Sequence, residues 1–204
     1  MLIKENMIDK KGLIGNLNHL DRVVIELGCG NRKVKPEAIG IDLIDSPCVD
    51  VIADINQGLR FLPDNSVDVI YSMHLLEHLD NLEGAMAEIY RVLKIGGKKI
   101  GFVPHFSNPY YYSDYSHCTF FGLYTFSYFA RDSQFKRGVP KHYNNIDFRI
   151  NKLNLVFYSP FKGRNIIKKG CSVVFNSSTY MKELYEEIFC YRFPAHGIEF
   201  ELEK

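Results

Sequence analysis

No apolar run in the sequence approaches the roughly 20 residues needed to span a bilayer. A membrane-spanning helix is therefore not expected. Charge of one sign is also lacking: 25 Lys and Arg stand against 24 Asp and Glu, for a formal net charge of +1. That balance provides no overall field to draw the chain to nucleic acid or to an anionic membrane, though it leaves room for a local basic patch. No Cys-x-x-Cys pair occurs. The five cysteines (Cys29, Cys48, Cys118, Cys171, Cys190) are scattered and odd in number. This argues against a disulfide framework or a thiolate zinc site, and for reduced thiols in a cytoplasm. Residues Met1 to Leu20 mix Lys, Asp, Asn and Gly among apolar side chains, without a signal-peptide core or a small-residue cleavage site. Tryptophan is absent, yet aromatics reach 14% and crowd between Phe102 and Phe135.

What is present suits one compact α/β domain. The 204 residues are enough for one and too few for two. No repeat, low-complexity linker or long charge block divides them, so residues 1–204 read as a single unit. Within it, 22–104 form a cofactor-binding half and 105–204 a cap and acceptor half. Val23–Leu27 is a short apolar run ending at Gly-x-Gly, the form of a buried parallel strand. Ala38–Leu43, Val49–Ile55 and Val67–Ser72 are further strands, the last announced by the turn Pro63-Asp64-Asn65-Ser66. Leu79–Leu93 has helical spacing, with Gly96-Gly97 placed as a C-cap. Lys98–Val103 is a fifth strand, closed by Pro104. The pattern predicts a Rossmann-like, doubly wound, mostly parallel sheet. Its first crossover, Gly30 to Ala38, is too short for a full helix. Later, Phe148–Tyr158 reads as a strand, Tyr180–Tyr191 as an amphipathic helix and Ile198–Glu203 as a final strand, together a unit on the sheet edge.

Three strand ends carry the binding signal. The turn Glu26-Leu27-Gly28-Cys29-Gly30 delivers the backbone to the carboxyl edge, where such sheets bind ligands. Asp42, before Leu43, can accept hydrogen bonds from ribose hydroxyls. Asp54, before Ile55, can accept from an adenine amino group. Each signal alone is weak, whereas the ordered set at successive strand ends is much stronger.

With Pro63 to Ser72, Leu76-Glu77-His78 and Arg91 to Gly97 added, the sequence resembles the class I methyltransferases, especially the type 11 branch. The likeness covers approximately Arg22 to Phe129, with an echo at Phe193-Pro194-Ala195. It implies S-adenosylmethionine as cofactor. Glu26, Gly28, Cys29 and Gly30 would hold its methionine part, Asp42 with Leu43 the ribose, and Asp54 with Ile55 the adenine region. Ser72 to His74 would line the methyl end. A NAD-dependent dehydrogenase would instead favour G-x-G-x-x-G and a helix N-terminus on pyrophosphate. The Asn31-Arg32-Lys33-Val34-Lys35-Pro36 segment has neither.

Methyl transfer from a sulfonium asks mainly for positioning, and a hydroxyl acceptor also gains from a general base. His has a suitable pKa for that task. His78, His105 and His117 are the candidates, with Asp114 and His117 in a loop expected over the cleft. As a metal-free enzyme the chain needs no more. His74, Glu77 and His78 also stand at i, i+3 and i+4, and with His105 or His117 they offer ligands for a divalent metal. That pattern is similar to the metal-binding RNA-end 2′-O-methyltransferases. The aromatic stretch Phe106–Phe135 reads first as the core of a capping helix carrying Phe121, Tyr124 and Tyr128, and second as a stacking platform for sugar faces. RNA stacking would want basic residues, and none lies between Pro104 and Ala130. The segment also resembles type 11 members associated with surface polysaccharide synthesis. The expected function is therefore O-methylation of a small-molecule or glycan acceptor in the cytoplasm. The alternatives are a metal-assisted RNA methyltransferase and a non-catalytic cofactor-binding protein on the same fold.

Overall fold

The apolar run that ends at Leu27 becomes a strand buried on both faces, as its pattern requires. In the computed structural model, which describes residues 7–132 and 134–204, this is β2 (Val24–Leu27), with Ile25 and Leu27 fully enclosed. It pairs in parallel with β3 (Ile39–Asp42) on one side and β5 (Val67–Met73) on the other. Beyond β3 lies β4 (Val51–Ala53), and beyond β5 lies β6 (Leu93–Pro104), again parallel. Antiparallel β8 (Gly197–Glu203) follows β6, with β7 (Arg149–Val156) outside it. A short β1 (Met7–Asp9), which no sequence signal announces, closes the other edge against β4. The order β1-β4-β3-β2-β5-β6-β8-β7 forms one eight-stranded sheet built from both halves of the chain. The expected mostly parallel, doubly wound sheet is present. Its direction of winding reverses between β2 and β5, which opens a cleft at their carboxyl ends. Residues 1–6 of the stretch read for a leader, and Ser133 of the aromatic segment, lie outside the described residues. Among the described residues, no helix is long and apolar enough to cross a membrane.

The first crossover contains no helix. Side chains hold it instead. The buried Glu26 carboxylate accepts the backbone N–H of Val34 at 2.8 Å and of Lys35 at 3.2 Å. The Lys33 ammonium donates to the Ala38 carbonyl at 2.7 Å and to Asp50. Polar anchoring of a short loop thus does the work that helix packing does elsewhere in the sheet.

Helix α1 (Leu82–Val92) begins where Asn81 accepts the Gly84 N–H at 2.9 Å, and it buries Ala85, Met86, Ile89 and Val92. Full burial of each larger side chain contributes about 1.5–3 kcal/mol. The expected C-cap at Gly96-Gly97 is corrected. The helix ends at Val92, and Leu93, wholly buried, turns extended and enters β6 at once. Gly96 sits at φ +78° inside an irregularity of that strand, between the pairs Val67–Leu93 and Val69–Lys98. It donates to the Lys204 carbonyl at 2.9 Å. A left-handed residue in a bulged strand and one after a helix look alike in sequence.

The aromatic segment does not form the expected capping helix. It makes two 3₁₀ turns, Tyr111–Ser113 and Thr125–Phe129. A bridge between Phe121 and His105 holds Phe121 extended, and the Phe106 N–H donates to its carbonyl at 2.8 Å. Phe121 and Phe126 are nonetheless core residues, and the Phe126 ring lies 4.1 Å from that of Phe200. Between β7 and β8 run α2 (Lys162–Phe175) and α3 (Thr179–Leu184), the latter continued by a π turn over Tyr185–Phe189. The late edge unit is as expected, except for α2. Sequence periodicity missed α2 because its apolar pairs do not face the core; only Cys171 and Phe175 on it are buried.

Candidate active site

The ends of the parallel strands bring most of the predicted cofactor residues to one edge. Gly28 leaves β2 at φ +68°, and a Cβ there would lie 3.0 Å from the Leu75 side chain, so only glycine fits. Gly30 donates its N–H to the Asp42 carboxylate at 2.8 Å, tying the turn to the end of β3. The other Asp42 oxygen takes the Ile44 N–H at 3.0 Å. Each oxygen keeps a second lone pair for a ligand hydroxyl. Asp54 follows β4 and caps a 3₁₀ turn, accepting the Asn56 N–H at 3.0 Å. Cys29 is buried, and burial, with Asp42 and Glu26 nearby, pushes its thiol pKa up to about 11. That thiol is packing, not a nucleophile. Ile55 is buried beneath the site, whereas Leu43 is 63% exposed at its lip. Open space beside Gly30 and the bare apolar surface of Leu43 fit the methionine and adenosine parts of the expected cofactor.

Ser72 is buried at the end of β5 and accepts a hydrogen bond from the ammonium of Lys99. Lys99 is fully enclosed on β6, and burial holds its pKa down to about 7, partly opposed by Glu26. A base whose folded pKa is depressed destabilises the fold increasingly as pH falls from 10.5 toward 7. Lys99→Met is therefore expected to raise the urea midpoint at pH 6, by at least about 1 kcal/mol of stability. The gain should vanish near pH 10; an equal gain at both pH values would refute the buried-charge account.

His74 adopts φ +54° after β5 and packs against Phe102, the rings tilted with centroids 4.6 Å apart. Next to it, Leu76–His78 is a 3₁₀ turn. Here the structure gathers the predicted polar set. Glu77, His78 and His117 each offer a ligand atom, all within 4.8 Å of one another. Glu77 is 0% exposed, and neither of its carboxylate oxygens has a hydrogen-bond partner among the described residues. His74 Nδ1 approaches one of them at 3.3 Å without forming a hydrogen bond. The His78 and His117 rings lie 4.7 Å apart. His117 Nδ1 is 3.0 Å from the Tyr111 carbonyl, and His78 Nδ1 is 3.0 Å from the Ser116 hydroxyl. Asp114 stands 3.6 Å from His117 Nε2.

His105 does not join this group. It is 0% exposed, with Nδ1 at 2.8 Å from the Ser107 hydroxyl and Nε2 at 3.3 Å from Glu186. Ser107 in turn contacts the Tyr185 hydroxyl, and both accept the Ala195 N–H. The expectation of His105 at the rim of the cleft gives way to a buried network that ties β6 to the cap. Conversely, His196 escaped the sequence reading although it follows Phe193-Pro194-Ala195. Its ring lies 6.5 Å from His74 and 5.6 Å from Phe102, and burial lowers its pKa.

Residues 25–100 match a family model described as a methyltransferase domain. The match spans 76 of the 204 residues. That match agrees with S-adenosylmethionine as the expected cofactor. In fold the chain is similar to an S-adenosylmethionine-dependent methyltransferase from Archaeoglobus fulgidus, with a TM-score of 0.55 at 15% identity over 96% of this chain and 94% of that one. It is also similar to a phosphoethanolamine N-methyltransferase of Haemonchus contortus in complex with S-adenosylhomocysteine. There the TM-score is 0.51 at 15% identity, over 90% of this chain and 48% of that one. A stretch of 35 residues, 17% of this chain, is 54% identical to the sterol 24-C-methyltransferase of Neurospora crassa. The match spans 9% of that protein's length.

Proposed function

We propose that the chain transfers a methyl group from S-adenosylmethionine to a hydroxyl of a sugar or sugar-bearing small molecule, with His117 as general base, in cytoplasmic synthesis of a polysaccharide. The reading rests on one observation, the continuity of His117 with an aromatic groove. The Tyr111 ring lies 4.6 Å from His117 and 4.9 Å from Phe120. Phe120 lines a groove of about 390 Å³ with Phe106, Tyr112 and Tyr124. That groove shares Arg137 and Glu186 with a neighbouring cleft of about 680 Å³. Aromatic faces suit the apolar faces of sugar rings, and Arg and carboxylate groups suit their hydroxyls.

S-adenosylmethionine supplies an electrophilic methyl group on a sulfonium. The turn at Gly28 to Gly30, Asp42 and Asp54 would hold it, with Ser72 and His74 at the methyl end. With Nδ1 donating to the Tyr111 carbonyl, His117 keeps its Nε2 lone pair free to take the acceptor proton. The proton then sits near the carboxylates of Asp114 and Glu77, which stabilise the imidazolium.

Glu77 favours a second reading. Two bare, buried carboxylate oxygens beside two imidazoles suit a divalent cation that would bind and ionise the acceptor hydroxyl directly. The decisive assay offers labelled S-adenosylmethionine with free hexoses, nucleotide sugars or short RNA, with and without EDTA. We expect label on a sugar, unaffected by EDTA. Loss with EDTA and recovery with Mn²⁺ would select the metal reading. Label on RNA alone would reject the sugar, and cofactor binding without turnover would point to a non-catalytic role.

A further inference from the structure

Net charge conceals a strong local asymmetry. Residues 148–182 contain no Asp or Glu but seven Lys and Arg, in a chain whose formal charge is +1. Helix α2 lies within that stretch. At 100° per residue, Val173, Ile166, Val174 and Ile167 share an arc of about 120°. All four are exposed, Ile166 at 76% and Val173 at 74%. Gly163 and Gly170 lie within the same arc, and no side-chain polar group interrupts it. Lys162 and Lys169, both exposed, border the arc on one side; on the other side buried Cys171 comes first, and exposed Arg164 lies beyond it at the helix start. Phe161, 53% exposed, continues the apolar surface at the helix start, with the Arg164 guanidinium 4.4 Å from its ring centroid. The inward side, through Cys171 and Phe175, anchors the helix to the body of the protein.

We propose that this face of α2 is a docking surface for an anionic lipid bilayer, on which the helix lies in the plane of the interface. The chemistry of the patch selects that occupant. An apolar ridge edged by lysines, in a stretch of seven Lys and Arg without a carboxylate, matches acyl chains flanked by anionic headgroups. A second copy of the chain would bring the same all-basic stretch against itself with no carboxylate in it to pair, which opposes self-association through this surface. The inference is independent of the acceptor.

The test is co-sedimentation of the full chain with vesicles. Binding to 1:1 phosphatidylglycerol:phosphatidylcholine vesicles is expected to be at least tenfold tighter than to pure phosphatidylcholine, and to weaken several-fold at 0.5 M NaCl. The double variant I166E/V173E should lose it. The double variant I166S/V173S, which removes the ridge without adding charge, should lose most of it and keeps the test valid if the acidic pair fails to fold. Equal binding to both vesicle types, or wild-type binding retained in folded I166S/V173S, would overturn the proposal. So would a wild-type dimer in sedimentation velocity that these substitutions convert to monomer without vesicle binding, since the occupant would then be a second copy.

Discussion

His117→Ala should lower turnover about 10²–10⁴-fold, the range that general-base removal typically costs, with folding and cofactor affinity intact. The side chain is mostly buried but makes only a few polar contacts, to the Tyr111 carbonyl and near Asp114. Its loss should therefore cost little stability. None of the strand-end residues proposed to hold the cofactor is among the hydrogen-bond partners of His117. Calorimetric titration with S-adenosylhomocysteine should thus match wild type, while single-turnover methylation slows. Free imidazole should restore part of the rate, which a merely structural role would not allow. His105→Ala provides the contrast. It breaks the buried contacts with Ser107 and Glu186 and should lower stability more than it lowers the rate per folded molecule. An H117A enzyme with wild-type kcat would remove the base assignment.

The two histidines also mark how far sequence reasoning reaches. The turn at Gly28 to Gly30, with Asp42 and Asp54, was legible because each depends on neighbours in the chain. An apolar run makes the strand, glycine permits the positive φ, and a carboxylate follows the strand end. The choice between His105 and His117 was not legible. It depends on Glu186 in the π turn after α3 occupying His105, and on the loop carrying Tyr111 bringing His117 to His78. Both are tertiary facts without a local pattern. The same holds for the aromatic segment. Its composition reads as packing and as a ligand surface at once, and the fold buries part of it and leaves part open. Phe121 and Phe126 are enclosed while Tyr112 and Phe120 remain exposed. Periodicity also failed at α2, where the apolar residues turn outward and the usual inference from stripe to core reverses.

Asp50 drew no attention in the sequence, yet it is where the largest loss of stability is expected. Its carboxylate accepts Lys11 Nζ at 2.5 Å, the Lys33 ammonium, and the Gly40 N–H at 2.9 Å. It therefore binds the N-terminal strand region and the helix-free first crossover to β3. Burial alone would raise its pKa, but the hydrogen bonds from Lys11, Lys33 and Gly40 outweigh burial and hold it at about 2, below the ordinary 3.8. Removing one partner of a buried pair costs about 3–5 kcal/mol. Lys11 is largely exposed and Lys33 is not, so Asp50→Ala should cost about 3 kcal/mol in urea unfolding at pH 7, at the low end of that range. A carboxylate with a depressed folded pKa gives its stability in full above the unfolded pKa and loses it as pH falls through the folded one. The difference between wild type and Asp50→Asn should therefore shrink between about pH 4 and pH 2; a constant difference would mean that ionisation of Asp50 is not what stabilises the fold. The Asp50→Ala substitution leaves Lys33 with only the Ala38 carbonyl, and so loosens the loop from Asn31 to Pro36 beside the proposed cofactor turn. Affinity for S-adenosylmethionine should fall along with stability, whereas Lys99→Met should leave that wall in place.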